Sequence, residues 1–283
     1  MTFNHLTTRI NFLVSLLHQG ANETEQSKVL ASISNNNGAY KGTPWKNERT
    51  VDVTTLAETK FARCDVHTVA SEDGESMVND WIFMEEMDAV NVIVQDQSGK
   101  FPVFKQGKYA IPGETFSPVG GFVDNGEAPW ESARREVIEE LGLGSRKTLD
   151  TIRNQISSSN HQYTDHKAAF AAIPKIHKSL DSFGLAVGDT MPEETDWVFL
   201  GRYRTAANRG GGFIYTYLLK KAVPVVENGG TSNFQITGDD EAQEIHFLTY
   251  DELQSRLKDG LFQEVKWAAT IALALLHLQY DEH

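Results

Sequence analysis

The segment 121–143, GFVDNGEAPWESARREVIEELGL, constrains this chain more than any other, because it specifies a helix and the side chains crowded on it. Pro129 suits the first helical position, where its missing N–H costs nothing. Gly142 suits the left-handed residue that ends a helix. Between them Ala133, Val137 and Leu141 recur every fourth residue, with Trp130 and Ile138 flanking the stripe. That spacing predicts a helix over 129–141 with one apolar face. Glu136 and Glu140 stand one turn apart, with Glu139 beside them. Carboxylates packed this closely repel one another unless a hard divalent cation lies between them. Mg²⁺ takes a few carboxylate oxygens together with water and phosphate oxygens. Arg135 stands four residues before Glu139 and four after Glu131, so it can hold a carboxylate by ion pairing. Glycines at 120, 121 and 126 let the loop before the helix bring backbone carbonyls close to the same cations.

Length and charge narrow the rest. The 283 residues suffice for one large domain or two small ones. No stretch approaches the roughly 18 uninterrupted apolar residues of a membrane span. Residues 267–278 come closest and read as a buried helix. The net charge of −13 disfavours nucleic acid, which needs Lys/Arg arrays against phosphate. An acidic protein that handles phosphates must recruit cations locally, which again points to Mg²⁺, with Mn²⁺ as a substitute. A single cysteine, Cys64, precludes an intrachain disulfide and suggests a reducing, cytoplasmic setting. Cys64 itself reads as a strand residue. Residues 1–20 carry one Arg, an apolar run at 10–17 and no acid, which fits either an organellar targeting segment or an amphipathic helix.

Residues 1–50 form an N-terminal extension, polar and Asn/Gly/Ser-rich from 20 onward, and 51–283 form the main domain. Strand patterns cover 61–69 and 81–84, with Glu72-Asp73-Gly74-Glu75 as the turn between them. Strands follow at 89–94 and 101–106, and Pro112-Gly113 is expected to break the chain. The stretch 144–196 is too long for an ordinary loop and reads as an insertion, with a short helix at 167–180. Its His161, His166 and His177 fit no common zinc spacing. Strands resume at 197–203 and 213–219. A loop at 224–238, a strand at 244–248 and helices at 250–259 and 263–278 complete the chain. Mixed strands with helices on both faces indicate one α/β domain.

The segment around the helix matches G-x5-E-x7-R-E-U-x-E-E-x-G-U at every fixed position, U being aliphatic. Average residue frequencies put a chance match on the order of one in ten million. With this motif the chain resembles Nudix hydrolases. The resemblance implies a Nudix fold, a mixed β-sheet sandwiched between helices. It implies Glu136 and Glu140 as principal metal ligands, Glu139 as a further ligand or base, and the Gly120 carbonyl completing a metal shell. Glu127 and Arg135 would support the loop and helix. A carboxylate outside the motif often takes the proton in this family, and Asp239, Asp240, Glu241 and Glu244 are placed for it, with Glu241 preferred.

The flanks, Val103-Phe104-Lys105-Gln106, residues 116–121, 201–205, 213–219 and 240–248, resemble the ADP-ribose pyrophosphatase branch. That branch implies a nucleoside diphosphate sugar substrate, AMP and ribose 5-phosphate as products from ADP-ribose, and a homodimer paired through N-terminal strands. Gln106 and Lys108 are expected at the substrate. The chain departs from the branch where an Arg usually follows the aligned Gln; here Gly107-Lys108-Tyr109 follow, and a point charge does not replace a bidentate fork. Arg202, Arg204 and Arg209 either clamp a phosphate or end strands in solvent, and Arg204 is the one taken for the substrate. Gly210-Gly211-Gly212 reads as a hairpin turn. Two other readings stay open: a Nudix hydrolase for another nucleoside diphosphate derivative, such as a UDP- or GDP-sugar or a dinucleoside polyphosphate, and a non-catalytic module that binds a nucleotide sugar. Such modules usually lose carboxylates of the motif, and none is lost here.

Overall fold

The structure, a computed structural model, describes residues 40–159, 192–225 and 243–281. The reading of residues 1–20 and the helix at 167–180 therefore lie outside the described residues, as do His161, His166 and His177. By its contacts the chain divides into two compact units, Met1–Met87 with Ala206–Gly212, and Asp88–Thr205 with Phe213–His283.

The first unit is an antiparallel meander of β1 (Thr50–Glu58), β2 (Ala62–Ala70) and β3 (Met77–Glu86). The turn between β2 and β3 falls where its sequence indicates. Asp73 accepts from the Glu75 amide at 3.0 Å, and Gly74 takes φ +74°, which only glycine adopts freely. The Trp81 indole donates to the Asn208 carbonyl at 2.7 Å, fixing residues 206–212 to β3.

In the second unit, β4 (Ala89–Asp96) is central. It runs antiparallel to β7 (Val119–Phe122) and parallel to β10 (Gly210–Pro224). β10 also pairs β9 (Trp197–Ala206) and the two-residue β8 (Leu143–Gly144). Alternation along β4 divides the core. Val90, Val92 and Val94 pack with Trp130, Ala133, Val137 and Leu141 of α1 (Pro129–Leu141). Ile93 packs in a separate cluster with Ile271 and Ala274 of α4 (Val265–Asp281). The sheet thus lies between helices, the mixed arrangement expected. A second antiparallel sheet, β11 (Gln243–Leu248), β5 (Phe101–Lys108) and β6 (Ile111–Ser117), stands beside β4. Helix α3 (Tyr250–Lys258) begins at a capping box, in which Thr249 and Glu252 satisfy each other's amides.

Two expectations are corrected. Pro112-Gly113 does not break the chain but lies within β6, the edge strand, where a missing N–H is tolerated. The pairing skips from Gly107↔Glu114 to Lys108↔Ile111, so both residues sit in an irregularity, with Gly113 at φ +78°. The stretch 144–196 opens on a helix that the sequence reading did not place, α2 (Arg146–Ser159), which buries Leu149 and Ile152 one turn apart. Its return is anchored at Glu194, whose carboxylate accepts from Ser145 Oγ and lies 3.5 Å from Arg134.

Candidate active site

Helix α1 forms as its punctuation requires. Pro129 occupies its first turn, and Gly142 ends it at φ +63°, donating to Ile138 O at 2.9 Å. Its apolar side is fully buried, which leaves the acids facing a single direction.

Arg135 gathers those acids. Its Nε and Nη2 hold both oxygens of Glu127 at 3.0–3.3 Å. Nη1 reaches Glu136 at 2.5 Å and Glu139 at 3.2 Å, and Nη2 also donates to the Phe122 carbonyl at 3.0 Å. Ser132 Oγ donates to Glu127 at 2.5 Å. One guanidinium therefore ties the loop, β7 and the acidic side of the helix together. Burial works against the Arg135 cation, yet its hydrogen bond to Glu127 and the charges of Glu136, Glu127 and Glu139 outweigh burial and raise its pKa. Glu136 is pushed up to about 7, chiefly by burial, with Glu139 and Glu127 adding to the rise and Arg135 opposing it.

Strand β7 supplies the other wall. The Gly120 amide donates to Glu140 at 3.4 Å. A Cβ on Gly120 would meet Val90 O at 2.6 Å, and one on Gly121 would overlap the Glu136 carboxylate. Gly120 is thus required by close approach to the backbone, whereas a side chain at 121 would displace the Glu136 carboxylate.

Glu136, Glu139 and Glu140 open onto a cleft of about 660 Å³. Gly120, Gly121 and Arg135 line it with them, and Gln106, Lys108, Asn91, Lys266 and Trp267 line its remaining sides. Residues 85–175 match the family model described as NUDIX domain. Over this stretch the chain is similar to NUDIX domains. No curated protein matches the chain in sequence. Among solved structures the chain is similar to one titled crystal structure of ADP compounds hydrolase, with a TM-score of 0.53 and 12% identity, over 85% of this chain and 98% of that one. At that identity the likeness is one of fold.

The cleft brings together most of the residues the sequence singles out. Glu136, Glu139, Glu140, Arg135, Gly120, Gln106 and Lys108 share the cleft. Glu127 stands behind it, on Arg135. Gln106 is buried, its amide donating to Ser117 Oγ at 2.5 Å. Arg204 is not among the lining residues. Its guanidinium lies over the Phe213 ring at 4.6 Å, with that of Arg202 at 3.7 Å, because a ring face in β10 offers these cations a nearer partner. Glu241, Asp239 and Asp240 lie outside the described residues. Glu244 lies on β11 and pairs His246 at 3.3 Å. Gly210-Gly211-Gly212, read from the sequence as the hairpin turn, instead begins β10, and the turn from β9 falls at 207–209.

Sequence reasoning passed over Asn91, Lys266 and Trp267. Asn91 had a visible signal, one polar residue inside the apolar run 89–94. Its amide faces Lys266 O and Thr270 Oγ1 at 3.4 and 3.5 Å. Lys266 and Trp267 sit in the first turn of α4, and nothing local connects that turn with a motif well over 100 residues earlier. Lys266 pairs Glu264 at 2.7 Å.

Proposed function

We propose that this chain is a Mg²⁺-dependent hydrolase of nucleoside diphosphate sugars, with ADP-ribose cleaved by water to AMP and ribose 5-phosphate. One observation carries the reading: three glutamates, Glu136 among them buried, and two lysines line the same cleft. The donor set fits a hard cation. Glu136 is held among like charges in a buried place, which a divalent ion would relieve. Glu136, Glu140 and the Gly120 carbonyl would hold Mg²⁺, or Mn²⁺ in its place, with Glu139 beside them as the base. When bound, the ion supplies charge neutralisation at the pyrophosphate and a lowered pKa for the attacking water.

The remaining work falls to side chains. Arg135 keeps Glu136 and Glu139 oriented through its fork. Glu139 receives the proton of the attacking water. Lys108 and Lys266 attract the phosphates electrostatically. Gln106, fixed by Ser117, offers a directional contact to the sugar or base, and Trp267 gives an aromatic edge to the cleft. The structural relative, an ADP compounds hydrolase, supports the adenosine preference.

The test is incubation with Mg²⁺ and a panel of ADP-ribose, ADP-glucose, UDP-glucose, GDP-mannose and diadenosine polyphosphates, with products separated by chromatography. AMP released fastest from ADP-ribose or ADP-glucose is the expected result. Turnover of another member alone would keep the chemistry and discard the adenosine preference. No turnover of any would overturn the enzymatic reading.

A further inference from the structure

The first unit buries a second set of metal-ligating side chains. Asp65 and His67 alternate on β2 and so share a face with Glu85 of β3, which stands opposite Arg63. Their exposures are 0%, 2% and 1%. One ligand atom from each lies within 4.8 Å of the others. A tetrahedral metal at bond lengths of about 2.0–2.2 Å spaces its ligands by roughly 3.3–3.6 Å, so modest side-chain rotation closes the gap.

The polar partners in place satisfy only part of this cluster. Arg63 holds Asp65 Oδ2 at 2.8 and 2.9 Å, and the Trp45 amide donates to Glu85 Oε1. Asp65 Oδ1 and His67 Nε2 are buried with no hydrogen-bond partner. Buried polar atoms are rarely left in that state, and two of them within one cluster call for a ligand that accepts lone pairs. The His67 ring stacks on Phe83 at 4.7 Å, which fixes its orientation.

We propose that Asp65, His67 and Glu85 hold one divalent ion of the zinc class, which ties β2 to β3 independently of the cleft. A mixed imidazole–carboxylate set suits zinc better than Mg²⁺, and three protein donors leave a fourth position for water. Arg63 and the Trp45 amide then act from outside, orienting the two carboxylates.

The experiment uses the full chain carrying Glu136→Gln, Glu139→Gln and Glu140→Gln, stripped by a chelator and titrated with Zn²⁺ in a calorimeter. Zinc X-ray absorption is recorded on the product, because the cleft carboxylates offer oxygen alone. The expected result is one Zn²⁺ per chain with a nitrogen ligand, and a melting temperature raised by Zn²⁺. Adding His67→Ala should weaken binding at least about tenfold and remove both the nitrogen signal and the zinc-dependent rise. Should that variant fail to fold, Glu85→Gln should also weaken zinc binding while His67 still supplies its nitrogen. No zinc bound, an all-oxygen shell, or binding unchanged by these substitutions would overturn the proposal and leave the assignment of the cleft untouched.

Discussion

Burial drives the Glu136 carboxyl up to about 7 although Arg135 lies beside it, since Glu139 and Glu127 compete for the same guanidinium. The consequence for stability has a definite sign. The folded pKa exceeds the unfolded value of 4.5, so between the two the native state binds a proton that the unfolded chain releases. Stability of the metal-free protein therefore falls as pH rises from about 4.5 through 7 and levels off above. Glu136→Gln removes that fall. In denaturant titrations at pH 8 without metal, the variant should exceed the wild type by an amount on the order of 2 kcal/mol, while near pH 4 the two should converge. Equal stability at pH 8 would mean that the carboxylate is better solvated than its surroundings imply. Much at this scale was readable beforehand. The motif named Glu136, Glu139 and Glu140, and they do share the cleft with Gly120 and Arg135. The identity of Arg135's partners was only half readable. Helical spacing offers Glu139, but the loop residue Glu127 reaches the guanidinium only because β7 and α1 fold back on each other.

Among the elements, α1 was the most legible, because Pro129, Gly142 and the stripe at 133, 137 and 141 speak for one helix independently of tertiary context. Helix α2 was not, since its Ser- and Asn-containing sequence has weak propensity and its burial of Leu149 and Ile152 depends on the core around it. The link between these two helices is a buried polar network. Arg134 and Glu194 are 7% and 6% exposed, and Glu194 also receives the hydroxyls of Ser145 and Thr148. Burial lowers the Arg134 pKa, with Glu194 and Glu131 opposing that shift. Removing one partner leaves an uncompensated buried charge. Arg134→Met should cost about 3 kcal/mol in equilibrium unfolding, and Arg134→Met with Glu194→Leu should recover part of that loss. Additive losses in the double variant would show that the two charges do not interact.

The molecule divides by its contacts into two units, Met1–Met87 with Ala206–Gly212 and Asp88–Thr205 with Phe213–His283. No helix among the described residues is long and apolar enough to cross a membrane. On β3, Ile82 and Met84 point the same way and are 37% and 40% exposed, an apolar pair on a meander that the family resemblance assigns to subunit pairing. We expect a dimer by light scattering at micromolar concentration and a shift to monomer on Ile82→Lys. A monomeric wild type would remove the pair from the account of assembly.

The most direct test of the central claim is the turnover of ADP-ribose in Mg²⁺ by the wild type and by Glu139→Gln, with circular dichroism on both. Glu139 is partly exposed and sits at the edge of the Arg135 fork, so its loss should spare the fold. The expected result is unchanged dichroism with kcat reduced by about two to four orders of magnitude, as for loss of a positioned base. Unchanged turnover in the variant would contradict the assignment of the acidic side of α1 as the catalytic centre.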